Sequence, residues 1–184
     1  DNSFATVISN SSEGMMVSHL PLIHGFEGEE AYLYGHFAKA NSHWKNFTGD
    51  VTAIFHGPHS YISSSWYEEE GTVPTWNYTA GNVSGKGKIM EDREELVRLL
   101  SNSVDFFEGK LGSDYRVDFK NPVIQKEMGY IVGFKIKIEK MEGKWKLNQH
   151  HTQQRQQKTI NNLKKVQIYD SQEIAALMEK SLKK

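Results

Sequence analysis

Between Val132 and Glu139 apolar and charged residues alternate without a break. Phe134, Ile136 and Ile138 fall on one face, and Lys135, Lys137 and Glu139 on the other. A period of two marks a strand with one dry and one wet side, and it commits the chain to a sheet. Three shorter runs, Ser3 to Ser9, Met15 to Ile23 and Ala31 to Gly35, are rich in β-formers and separated by Ser/Asn/Gly and Gly/Glu clusters, the spacing of an antiparallel meander. Val51 to His56 and Val83 to Met90 extend the pattern, the latter with glycines that permit a bend or bulge. Gly143 is expected to turn the 132–139 strand back through Lys144 to Asn148 as a hairpin.

Helical signals are fewer. Trp44 and Phe47, three apart, predict a short helix within Lys39 to Phe47. Asp92 followed by Glu95 has capping-box spacing, and Leu96, Leu99, Leu100, Val104 and Phe107 repeat at helical intervals up to Gly109, read as the stop. Leu111 to Met128 shows no clear period and is expected to be a loop or an irregular, helix-containing insertion. From Gln153 the composition turns to Gln, Asn and Lys, and Ile174, Leu177, Met178 and Leu182 then predict an amphipathic helix after Asp170 and Ser171. The expected organisation is one mostly β domain over 1–152 and a polar, basic helical arm over 153–184.

With 184 residues and a formal charge of -1, the chain as a whole has no electrostatic pull toward nucleic acid or anionic lipid. Lys164, Lys165, Lys180, Lys183 and Lys184 form the candidate basic patch, through which the arm could meet DNA. The absence of cysteine excludes disulfides, thiol catalysis and thiolate metal sites, and is compatible with a reducing cytoplasm, the expected location. No apolar run approaches the roughly 18 residues of a membrane span. The first residue is Asp1 rather than Met, so an upstream segment is expected.

Chemistry concentrates in two stretches. From Gly57 to Tyr78, Trp66, Tyr67, Trp76 and Tyr78 lie among Ser60, Ser63, Ser65 and Asn77, read as two loops whose surface suits a flat ligand with polar edges. In YGHFAKANSHWKNF, His36, Lys39 and Asn41 offer a titratable donor, a cation and an amide around a helix start, groups that suit a phosphate. His56 with His59 and His36 with His43 are pairs that a metal could use, but Gly57 and Pro58 deny the first any helical geometry, and no metal is expected. Ser63 and His59 lack a nucleophile elbow, and no glycine-rich nucleotide loop occurs.

HLPL, YGHFAKAN, GPHSYISSSWY, VPTWNY and KWKLNQ, in that order from about Phe4 to Gln149, resemble the PaiB-type family of FMN-binding split-barrel proteins, often labelled negative transcriptional regulators. The resemblance implies a homodimeric split β-barrel with peripheral helices and a C-terminal helical extension, with FMN near the subunit interface. It assigns His19 and Leu20 to the flavin edge, and His36, Lys39, Asn41 and Trp44 to the phosphate and ribityl side. Ser60, Ser63, Trp76, Asn77 and Gln149, the last from the partner subunit, complete the implied pocket. The chain departs from the family pattern at Ser42, Ser64, Asn82 and His150. The expected function is that of a flavin-dependent or flavin-sensing transcriptional regulator. A flavin oxidoreductase and a haem-binding or haem-degrading enzyme are the alternatives, and no catalytic residue stands out.

Overall fold

The computed structural model describes residues 2–11 and 14–183; Lys184 of the basic patch lies outside the described residues. Seven strands, β1 (Phe4–Ser11), β2 (Gly14–Pro21), β3 (Ile23–Glu27), β4 (Glu30–Ala38), β5 (Gly49–Ile62), β6 (Thr75–Ile89) and β7 (Ile131–Lys146), make an antiparallel sheet in the order β2-β1-β5-β6-β7-β4-β3. Four α-helices accompany it: α1 (Arg93–Leu111), α2 (Pro122–Met128), α3 (Gln153–Leu163) and α4 (Ser171–Leu182). The mostly β class predicted from the alternating runs is what forms. Among the described residues no helix is long and apolar enough to cross a membrane.

Several boundaries differ from the sequence reading. Met15 to Ile23 is two strands, broken at Leu22, a core residue whose amide donates to the Ser3 carbonyl 2.8 Å away. Gly57 to Ile62 belongs to β5 rather than to a loop. At Gly57 a Cβ would come within 2.0 Å of Thr79 Oγ1, so the glycine allows a close approach between strands β5 and β6 instead of a turn. Gly143 does not open a hairpin either, because β7 runs on to Lys146 and the missing side chain makes room for the Trp145 ring. Helix α1 passes through Gly109 and stops at Gly112, whose φ of 69° provides the left-handed cap that Gly109 was expected to supply. Asp92 caps α1 by accepting from the Glu94 amide at 2.9 Å, while the Glu95 carboxylate turns instead to Lys135. Helix α3 falls within the helical arm expected over 153–184, where a helical period was read only for the stretch that forms α4.

The chain folds as two compact units. The first comprises the chain up to Phe55 together with Asn82–Met141. Its core gathers Val7, Leu22, Leu33, Phe37, Phe47, Phe134 and Ile136, with the rings of Phe37, Phe47 and Phe134 at centroid distances of 4.5–5.1 Å. The second comprises His56–Gly81 and the chain from Glu142 onward, including α3 and α4. Its core is Ile62, Tyr67, Leu147, Ile160, Leu163, Ile174 and Met178, so the apolar face predicted for the last helix packs within its own chain.

Candidate functional site

In the first unit the residues after β4 build a tight polar knot. Asn41 caps a 3-10 helix, Ser42–Asn46, by accepting from the His43 amide at 3.1 Å, and donates its own amide to Ser18 Oγ at 2.9 Å. His43, fully buried, lies 2.8 Å from Ser18 Oγ through Nδ1 and 2.9 Å from Ser9 Oγ through Nε2. A serine hydroxyl can donate one hydrogen bond and accept two, so Ser18 and Ser9 together engage both imidazole nitrogens in either neutral tautomer. Burial holds this imidazole below its ordinary pKa, so it stays neutral. With both nitrogens engaged, His43 has no lone pair to offer a metal.

The other candidates of this unit differ in what they leave open. Trp44 donates its indole N–H to the Lys39 carbonyl at 3.0 Å, and Leu20 packs against the core. Lys39, His36 and His19 have side chains that make no hydrogen bond or ion pair with other described residues. Lys39 and His19 are exposed. His36 is half-buried, and desolvation lowers its pKa.

In the second unit strand alternation separates the candidates. Trp76, 41% exposed, shares one face with His59 and Tyr61 at ring distances of 6.1 and 5.8 Å. Ser60 and Asn77 are the neighbours in sequence and therefore face the other way, into the core. There Asn77 donates to Met178 Sδ at 3.4 Å and leaves its buried carbonyl oxygen without a partner. Ser63 caps the 3-10 helix Ser64–Tyr67 and shares a 2.7 Å bond with Ser65. Gln149 accepts from the Leu147 amide at 2.9 Å and donates to the Trp145 carbonyl at 2.7 Å, so both ends of its amide are used within its own chain.

Three features escaped the sequence reading. Asp170, which precedes α4, makes no side-chain cap there. Its carboxylate takes the His59 amide at 2.9 Å and lies 3.1 Å from His59 Nδ1. Lys135, with 14% of its side chain exposed, joins Glu27 at 2.6 Å to Glu95 at 3.3 Å. Beside this bridge, β3, β4 and α1 enclose a cleft of about 520 Å³ whose lining includes His24, Phe26, Tyr34, Arg98, Asn102 and Phe106. None of the residues selected from sequence line it. Partners separated by a hundred positions, as His59 and Asp170 are, leave no local pattern to read.

Solved structures that share this fold include split-barrel flavin- and haem-binding proteins. The flavocytochrome Anf3 from Azotobacter vinelandii aligns at a TM-score of 0.56 with 16% identity, over 78% of this chain and 62% of its own. A FAD- and haem-binding protein from Mycobacterium smegmatis aligns at 0.53 with 14% identity, over 78% and 65%. In sequence, residues 1–140 match the family described as "Putative FMN-binding domain". The chain is 36% identical to the protease synthase and sporulation protein PAI 2 of Bacillus subtilis, over 100% of this chain and 89% of that protein. It belongs to this PaiB-type FMN-binding domain family.

Proposed function

We propose that this protein binds FMN and acts as a flavin-dependent or flavin-sensing transcriptional regulator. The observation that carries the reading is the exposed Trp76 face, where an indole flanked by His59 and Tyr61 presents aromatic surface without burying it. In the first unit, taken by itself, the donor types suit a phosphate, which needs a cation and further donors: Lys39 and His36 have side chains with no hydrogen bond or ion pair to other described residues. In the second unit Trp76 is the proposed ring contact. Asn41, Trp44, Ser63 and Gln149 hold their own backbone and shape the surroundings, while Ser60 and Asn77 face the core and are left out of the contact set. When bound, FMN supplies the redox chemistry of its ring, and the chain's residues bind and orient it.

The regulatory part draws on the relative whose name ties it to protease synthesis and sporulation. DNA would meet Lys165, Lys180 and Lys183, since Lys164 is paired with Glu179. A homodimer is proposed through β1 and β2. Antiparallel register puts Phe4, Ile8, Met15 and Val17 on one face, with Phe4, Met15 and Val17 exposed by 62, 67 and 51%.

The test is FMN titration followed by flavin fluorescence. Lys39→Ala is expected to weaken binding by about 1.5–3 kcal/mol, the value of a charge-assisted contact. Wild-type affinity in that variant would remove Lys39 from the phosphate site.

A further inference from the structure

Tyr169 has a backbone φ of 52°, in the left-handed region. An aromatic residue there is strained, and Gly or Asn would adopt the same backbone at little cost. Core burial does not explain the choice, because Tyr169 is 58% exposed. Its ring instead lies 5.0 Å from Trp76 at 69°, and 6.5 Å from His59. Tyr61 stands against the same indole at 67° and 5.8 Å. Two steeply inclined tyrosines and a histidine thus surround one exposed tryptophan, all within the second unit.

The placement of Tyr169 is enforced by the next residue. Asp170 donates its amide to the His59 carbonyl at 3.1 Å, and its carboxylate receives the His59 amide and lies against Nδ1. This clamp ties the turn before α4 to β5, and it accounts for an aspartate at a helix start that caps nothing. It also occupies the carboxylate that a bound cation would need, so the surface favours a planar, uncharged ring over an ammonium group.

We infer that Tyr169 is a ligand-contacting residue of the Trp76 face, so that the C-terminal arm completes the platform for the heteroaromatic ring of the flavin, with Asp170 as its positioning residue. This rests on the reading of Trp76 as a flavin contact. A stacked aromatic contact corresponds to about a three- to tenfold change in affinity.

The experiment titrates FMN against the full chain and against Trp76→Ala, Tyr169→Phe and Tyr169→Gly, with thermal unfolding measured in parallel. Tyr169→Gly is expected to bind FMN three- to tenfold more weakly while melting at or above the wild-type temperature, because glycine relieves the left-handed strain. Tyr169→Phe, which keeps the ring, is expected to stay within twofold of wild type. If Trp76→Ala weakens binding and Tyr169→Gly does not, the inference about the arm fails and the flavin reading stands. If wild type binds FMN and neither variant changes it, the Trp76 reading fails as well, and the inference with it. A fall in melting temperature that accompanies the lost affinity in Tyr169→Gly would make the ring structural and overturn the assignment.

Discussion

Replacing Ser18 by alanine tests the buried knot at its centre. Its hydroxyl sits 2.8 Å from His43 Nδ1 and 2.9 Å from the Asn41 amide, in a residue only 6% exposed. Deletion leaves a fully buried imidazole nitrogen with no partner, which costs about 1–3 kcal/mol, whereas the half-buried Asn41 amide can turn to water and adds little. The expected loss is about 1–3 kcal/mol. With a urea m-value of about 2 kcal/mol/M, the unfolding midpoint followed by tryptophan fluorescence drops by roughly 1 M. Ser9→Ala removes a single contact and should cost less, about 1–2 kcal/mol. The half-buried Ser11 hydroxyl bonds the Gly14 carbonyl at 3.0 Å, and Ser11→Ala serves as the comparison at about 0.5–1 kcal/mol. If Ser18→Ala matches Ser11→Ala, the claim of a dry, fully used histidine is wrong.

Acid should weaken the fold before any carboxylate titrates. His36, His43 and His151 all have pKa values lowered by burial, so below about pH 6.5 the unfolded chain binds protons that the native chain refuses, and stability falls with pH. Urea midpoints that do not change between pH 7.5 and 5.5 would contradict this. Gly85→Ala is expected to cost more than about 3 kcal/mol, since a Cβ there meets the Lys137 carbonyl oxygen at 1.8 Å and backbone cannot easily yield; a well-folded variant near wild-type stability would refute the geometry. Lys135→Ala should cost about 1–3 kcal/mol by stranding Glu27 and Glu95 without their shared cation, and calorimetry that shows no change would mean the bridge is solvated.

What could be read from the sequence follows from how local each signal is. The alternation around Phe134 and Ile136 named its buried face correctly, because strand period depends on neighbours two positions apart. Helix α1 was equally plain, but its end was not. A glycine stops a helix only where the backbone turns left-handed, and Gly109 and Gly112 look alike on that count until the chain is folded. Gly57 and Gly143 misled for a related reason: each serves a close approach to a side chain, which sequence presents as a turn. Helix α3 was hidden because its buried face includes Gln156 and Thr159, polar residues that break the apolar stripe. Among the candidate residues, Lys39 of the first unit and Trp76 of the second were visible as residue types. That Trp76 and Asn77 face opposite ways follows from the strand running through 75–78, a stretch that looked like a loop.

The interleaving of the two units sets an order for synthesis. Ile62 and Tyr67 emerge in the middle of the chain, yet they are buried against Ile160, Leu163, Ile174 and Met178. Roughly a hundred residues must be added before that cover exists, which at about 5–20 residues per second is on the order of 5–20 s. Throughout that interval the nascent chain carries a bare apolar surface, a target for chaperones or for wrong partners. A ribosome stalled ahead of α3 would hold a chain whose strands are all made while its second core is still unfinished.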